Sequence, residues 1–192
     1  MGLEVVTPPA NPPVDQSEVE KFLRYDDTLQ ASIITTLIDT ARREVERFTN
    51  RALVNTDFAY YVPDFKRNIP LPVSGIDSST VSIQYIDTND VLQTVDPSLY
   101  GIDAISEIPS VYEEYNGNGW PTDVKCGDPN AVKISFTAGF GADESAVPAG
   151  IKEAIYLLVG GMFEERESDT PVRIETIPIV ARVLELYRVH RQ

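Results

Sequence analysis

Residues 137–155 read TAGFGADESAVPAGIKEAI, and they contain the change from strand-like to helix-like sequence that decides the fold. Two glycines, Gly139 and Gly141, stand directly before a helical pattern, and loops of this kind can bind phosphate at a helix N-terminus. The third glycine of a dinucleotide-binding loop is missing, no Gly-Lys-Ser/Thr follows, and the next charges, Asp143 and Glu144, would repel a phosphate. We therefore interpret the stretch as a turn that leads a strand into a helix.

The pattern after this turn predicts two helices. The first begins after Pro148 and ends in the charged residues 164–167, and the apolar positions that we expect to face inward are Ile151, Ala154, Ile155, Leu158, Met162 and Phe163. It is apolar almost all round, which is typical of a buried helix, and the Gly160-Gly161 pair predicts a close helix crossing. The second helix begins near Pro178 and extends through Tyr187.

Two helices are also predicted near the start of the chain. Asp15 precedes a short helix with Val19, Phe22 and Leu23 on one face, after an extended, proline-rich lead-in. A second start signal at Asp27 and Gln30 precedes a long amphipathic helix that we expect to end near Asn50. Its apolar positions recur at steps of three and four: Leu29, Ile33, Ile34, Leu37, Ile38, Ala41, Val45 and Phe48.

The sequence between these helical parts alternates β-branched and aromatic residues with turn residues, which predicts strands. The predicted strands are residues 57–62, 80–86, 91–95, 98–103 and 131–138, with a hairpin turn at 87–90. We therefore predict an α+β fold, in which N- and C-terminal helices form a helical bundle and a small antiparallel β-sandwich or barrel-like domain is inserted between them. The predicted parts are 1–51 (lead-in and helices), 52–138 (β domain) and 139–192 (helices completing the bundle).

The charge of the chain argues against several functions. Lys and Arg number 16 against 30 Asp and Glu, a formal net charge of -14, so tight nucleic-acid binding is not expected. The segment 52–138 holds twelve acids and four bases, and therefore carries most of this excess. A single cysteine provides neither an internal disulfide nor a structural zinc site. We find no secretion signal and no membrane-spanning stretch, and we expect the chain to be made in the cytoplasm.

The chain also gives little support for a catalytic, cofactor or metal site. His190 is the only histidine and lies near the end of the sequence, and Cys126 has neither a second cysteine nor a nearby histidine. Residues 87–90 resemble the start of a calcium loop but lack its later glycine and glutamate. Trp120, with Tyr112 and Tyr115 nearby, leaves a carbohydrate-binding or hydrolytic β module open as an alternative, although the surrounding residues 116–121 are typical of a turn.

Short motifs along nearly the whole chain resemble one family. They include VEKFLRYDD at 19–27, the "LI..AR..VE..T.R.L" pattern at 37–53, IPLP at 69–72 and DPSLY at 96–100. The later ones are Trp120-Pro121, TAGFG at 137–141, Val147-Pro148, IKEAI at 151–155 and a helix opened by Pro178 that ends in LYR at 186–188. The motifs and their order along the chain are similar to those of the head-to-tail connector (adaptor) family of tailed bacteriophages and related gene-transfer particles.

The resemblance implies a non-enzymatic structural protein of the virion neck. Members of that family form a ring of about twelve copies beneath the portal protein, extend its DNA channel without binding the DNA specifically, and provide the attachment surface for a further neck or tail-completion protein. It also implies assembly in the host cytoplasm, with no membrane partner. Another neck or tail-completion protein remains the closest alternative.

For portal docking we predict the segment Tyr187, Arg188, Val189, His190, Arg191 and Gln192, because an arginine-bearing tail can order on meeting a partner. A frayed helix end is the alternative interpretation of the same residues. We expect from sequence that the segment can be removed without loss of the fold.

Overall fold

The computed structural model describes residues 1–24, 31–114, 119–165, 174 and 177–190, and it has a mixed α/β fold. The described part contains four helices and two antiparallel sheets. The chain divides into two compact units, one of Met1–Pro9 with Asn55–Gly139 and the other of Ala10–Val54 with Phe140–His190.

The helical unit contains α1 (Gln16–Leu23), α2 (Ala31–Thr49), α3 (Ala149–Glu164) and α4 (Pro178–Glu185). Asp15 caps α1, since its carboxylate accepts the Ser17 amide at 2.7 Å. The predicted Asp27–Gln30 start of α2 lies outside the described residues, and α2 ends as predicted before Asn50, which adopts the left-handed conformation with φ 55°. The fully buried side chains of the core include Val19, Ile34, Val45, Leu53, Ile151, Ile155, Leu158, Val180 and Leu184.

The apolar face predicted for α1 is confirmed only in part. Val19 is fully buried and Leu23 packs against the core, but about half of the Phe22 side chain is exposed. The Phe22 ring stacks on Tyr156 of α3 at a centroid distance of 5.7 Å instead of entering the core. Gly160 faces α1, but the space there does not require a glycine, since a methyl group would lie 3.5 Å from the Phe22 ring, an ordinary contact distance. Tyr156 also donates to Glu18 at 2.7 Å, which ties α1 to α3.

The β unit contains a five-stranded sheet and a three-stranded sheet. The larger consists of β1 (Gly2–Thr7), β2 (Thr56–Val62), β4 (Ile76–Ile86), β5 (Leu92–Thr94) and β8 (Val132–Ala138), in the order β1-β2-β8-β4-β5. The smaller consists of β3 (Asn68–Pro70), β6 (Tyr100–Asp103) and β7 (Ser110–Glu113), in the order β3-β7-β6. All pairings are antiparallel.

The structure corrects the barrel-like alternative, because the strands form two separate sheets and the larger one ends in the open edges β1 and β5. Strands lie within or across all five predicted ranges, although the first two residues of the range 98–103 belong to a 3-10 helix, Pro97–Leu99, which Asp96 caps. Three strands were not predicted, namely β1, β3 and β7. The hairpin turn at 87–90 is confirmed: Asp87 accepts the Asn89 and Val91 amides at 2.8 and 3.0 Å, and Asp90 has a φ of 63°.

The turn between β8 and α3 needs a glycine at position 141 for a steric reason. Gly141 has no positive φ, but a Cβ added to it would lie 2.4 Å from the Cβ of Ala146, an atom that cannot move without its backbone. We expect Gly141→Ala to lower the free energy of unfolding by about 1–3 kcal/mol, the usual range for an overpacked site. Urea denaturation followed by circular dichroism measures this loss.

Two further variants separate the clash from a general effect of adding a methyl group. Gly141→Ala combined with Ala146→Gly removes the contact and should recover most of the stability. Gly160→Ala places a methyl group at ordinary contact distance inside α3 and should stabilise the chain by about 0.5–1 kcal/mol. A loss in the double variant as large as in Gly141→Ala would contradict the steric explanation.

Candidate functional site

The segment predicted to dock begins as an ordered part of the helical unit. Val189 is 1% exposed, its amide donates to the Thr49 carbonyl at 3.0 Å, and its carbonyl accepts from the Asn50 side chain at 2.9 Å. Arg51 donates to the Tyr187 carbonyl at 2.9 Å. These contacts count against the expectation that the segment can be removed without loss of the fold, because residues 187–189 pack at the end of α2. Arg191 and Gln192 lie outside the described residues.

Successive side chains of this segment point alternately inward and outward. Tyr187 packs against the helical core, and a Cβ added to Gly150 of α3 would lie 3.2 Å from its hydroxyl, so this glycine makes room for it. Arg188 is exposed, and its guanidinium lies 4.9 Å from the centroid of the Phe48 ring. His190 is also exposed and its Nε2 lies 3.3 Å from Glu185. A partner would therefore meet Arg188 and His190, while Tyr187 and Val189 hold the segment in place.

A carboxylate network on α2 lies just before the residues that hold the segment, in the order of the sequence. Glu46 accepts the Leu53 amide at 3.1 Å through one oxygen and the Arg42 guanidinium at 2.7 Å through the other. Arg42 also donates to Asp39 at 2.6 Å. Burial raises the pKa of Glu46, while the hydrogen bond from Arg42 lowers the pKa of Asp39. The network fixes the chain at the end of α2, where residues 49–51 bind the segment.

The candidate catalytic residues are divided between the two units. Asp143, in the turn that could have held a phosphate, instead accepts the Ser145 amide and hydroxyl at 2.9 and 2.6 Å. The hydrogen bonds from Ser145 lower the pKa of Asp143, so its negative charge stays where a phosphate would have to bind. Cys126 is a free, exposed thiol and lies in the β unit, whereas His190 lies in the helical unit. Among the described residues no group of three or more His, Cys, Asp or Glu is placed to hold a metal.

Trp120 is part of an aromatic cluster. Its indole ring stacks on Phe65 with a centroid distance of 4.6 Å and an interplanar angle of 7°, and it lies nearly parallel to Tyr100 at 6.3 Å. Its Nε1 donates to the Lys66 carbonyl at 3.0 Å. The ring thus packs against the chain's own aromatic residues, which favours an anchor for the turn over an open sugar platform. Tyr115 lies outside the described residues.

Much of the acidity of the β unit stabilises turns. Among the described residues of segment 52–138, six acids accept a main-chain amide one or two residues further along the chain: Asp64, Asp77, Asp87, Asp96, Asp103 and Asp128. Hydrogen bonds lower the pKa of four of these carboxyls. The largest contribution comes from the Ser79 hydroxyl at Asp77, the Gln93 side chain at Asp87, the Ser98 amide at Asp96 and the Ser106 hydroxyl at Asp103. These carboxylates therefore have a local structural role, in addition to any effect of their charge on a partner.

Sequence reasoning missed one surface with functional potential, the edge strand β1. All six of its residues are exposed, and among the described strands it pairs only with β2. The signal in the sequence was the apolar, β-branched run Leu3, Val5 and Val6 directly before Pro8 and Pro9.

In the part of the chain that the structure describes, no helix is both long enough and apolar enough to cross a membrane.

Comparison with known proteins gives the fold of the whole chain. No family model and no curated protein sequence matches it. Solved structures do match, and each comparison covers 100% of this chain and 97% of the other chain at 23% identity. One is a chain from the virion of a native gene transfer agent particle, with a TM-score of 0.80. Two others come from the neck of such particles, one empty and computed with C6 symmetry (TM-score 0.79) and one native and computed with C12 symmetry (0.75). Over its whole length, the chain has the fold of these gene transfer agent neck and virion chains.

Proposed function

We propose that the chain is a structural neck protein, a head-to-tail connector (adaptor) of a tailed bacteriophage or a related gene-transfer particle. In this proposal about twelve copies form a ring beneath the portal protein, extend its DNA channel and provide the attachment surface for the next neck or tail-completion protein. The observation that supports it most is the full-length likeness to the neck chains solved with C12 and C6 symmetry. The helices within 1–51 and 139–192 then form the bundle, and 52–138 is the inserted β domain, to whose sheet the lead-in adds β1.

Two features of the molecule agree with this role. The motif residues at 37–53 that resemble the connector family form the network that holds the segment proposed to dock on the portal. The net charge of -14 also suits a channel wall past which DNA must slide without being held. Assembly in the host cytoplasm and a place in the virion neck follow from the same proposal.

Electron microscopy of the chain mixed with its purified portal tests the function. We expect a ring with the portal's rotational symmetry on its tail-facing end. Absence of any ring from the portal would contradict the connector role, and binding only after another neck protein has been added would support the alternative of a different neck or tail-completion protein.

A charge reversal in the docking segment tests the proposed contact. Arg188→Glu should weaken portal binding by tenfold or more, because it reverses an exposed charge that we place in the interface. Arg182→Glu makes the same change at an exposed position of α4 outside the segment and serves as the control. Equal binding by the two variants, measured by co-sedimentation, would exclude a contact through Arg188.

A further inference from the structure

The two open edges of the five-stranded sheet have unusual side chains for their position. Edge strands of natural proteins are normally protected by lysines, prolines or inward-pointing charges, because their unpaired amides and carbonyls can bind another strand. β1 contains neither lysine nor proline, and its Leu3, Val5 and Val6 are exposed. At the opposite edge, Leu92 of β5 and the adjacent Val91 are exposed as well.

We propose that β1 of one copy pairs with the β5 edge of the next copy, so that the sheet continues from subunit to subunit around a ring. This inference rests on the proposed function, which requires copies of this chain to form a closed ring. A closed ring needs two different faces on each subunit, and the two ends of one sheet are different faces of this kind. Strand addition of this type obtains affinity from main-chain hydrogen bonds and specificity from the side chains beside them.

The distribution of charge favours a second copy as the occupant of these edges. Each copy carries a net charge of -14, so copies repel one another over most of their surfaces. β1 holds one charged residue, Glu4, and β5 holds none. Two strands of low charge with exposed apolar side chains can approach closely where the rest of the surface cannot.

The geometry of β1 also suits this contact. Its register with β2 is regular from Gly2 to Val5, and the irregularity between Val5 and Thr7 lies at the far end, directly before the prolines. The regular part offers main-chain groups to a neighbouring strand on the side away from β2. β5 is the last strand of its sheet, and no other strand of the described residues pairs with its outer side.

Cysteine cross-linking in the portal-bound ring tests this inference. In a Cys126→Ser background, which removes the chain's one native thiol, Val5→Cys is combined in one chain with a cysteine at position 91, 92 or 93. Paired strands bring Cα atoms to about 5 Å, within reach of a disulfide. We expect at least one combination to give, under mild oxidation, a ladder of covalent multimers on a non-reducing gel. Val5→Cys with Ser135→Cys is the control, since Ser135 lies in the central strand β8 and should give no ladder.

The outcomes separate the inference from the proposed function, because the ring is imaged in the same samples. A ring that forms without a ladder from any of the three combinations overturns the pairing and leaves the connector role intact. Disulfide dimers from Val5→Cys alone also overturn it, since they would show β1 paired with β1. If the unmodified chain forms no ring on the portal, both proposals fail together.

Discussion

Val189→Asp is expected to lower the free energy of unfolding by about 3–5 kcal/mol at pH 7, because it places a carboxylate at a buried, apolar position. The Val189 side chain is 1% exposed, and both polar groups of its main chain are already bonded to residues at the end of α2. Domains of this size are stable by only about 5–15 kcal/mol, so the loss should be visible as a large drop in the denaturation midpoint. Urea denaturation followed by circular dichroism measures it.

Leu186→Asp provides the matched control for this prediction. It makes the same kind of change from apolar to charged, three residues earlier, at a side chain that is 84% exposed. Its effect should stay within about 0.5 kcal/mol, as for most surface substitutions. Similar losses in the two variants would contradict the placement of Val189 in the fold and restore the interpretation of the segment as a frayed helix end.

The behaviour of this segment shows what the sequence could and could not predict. The helices were predictable because burial of one face leaves a periodic pattern, as in Ile34, Ile38, Ala41 and Val45 of α2. The inward placement of Val189 was not, because it depends on hydrogen bonds to residues about 140 positions earlier in the chain. Nothing in the local pattern of YRVHRQ encodes such a contact.

The β unit also contains strands that the sequence could predict and strands that it could not. β8 was predictable because it alternates buried and partly buried residues, whereas β1 is exposed on both faces and therefore lacks this alternation. β3 has only three residues and includes Pro70, so the sequence pattern of a strand is too short to recognise. Among the candidate sites, the argument against a phosphate loop rests on residue types alone, whereas the packing of Trp120 on Phe65 joins residues far apart in sequence and needed the structure.

The second large effect is expected for Arg42→Ala, which removes the cation beside the buried carboxylate of Glu46. The Arg42 side chain is 13% exposed and bonds both Glu46 and Asp39, so its loss leaves Glu46 charged, largely buried and held only by the Leu53 amide. Breaking a fully buried pair costs about 3–5 kcal/mol, and for this partly solvated pair we expect roughly 2 kcal/mol at pH 7. Arg43→Ala is the control, because Arg43 pairs with the same Asp39 but is 72% exposed and should cost less than about 1 kcal/mol.

The loss in Arg42→Ala should also depend on pH in a defined direction. Burial already raises the pKa of Glu46 in the folded chain, and removal of Arg42 raises it further. A carboxyl group whose pKa is higher in the folded than in the unfolded state makes the fold less stable as the pH rises between the two values, since the unfolded state releases its proton over this range while the folded state still holds it. Asp39 acts in the same sense, because Arg42 lowers its pKa and the stability gained above the ordinary aspartate pKa disappears with the arginine.

The loss of unfolding free energy in Arg42→Ala, relative to the unmodified chain, should therefore be larger at pH 7 than at pH 4. The loss in Arg43→Ala should change little between these pH values. Urea titrations of all three proteins at both pH values measure this, and a deficit that grows on acidification would show that Glu46 does not carry the effect.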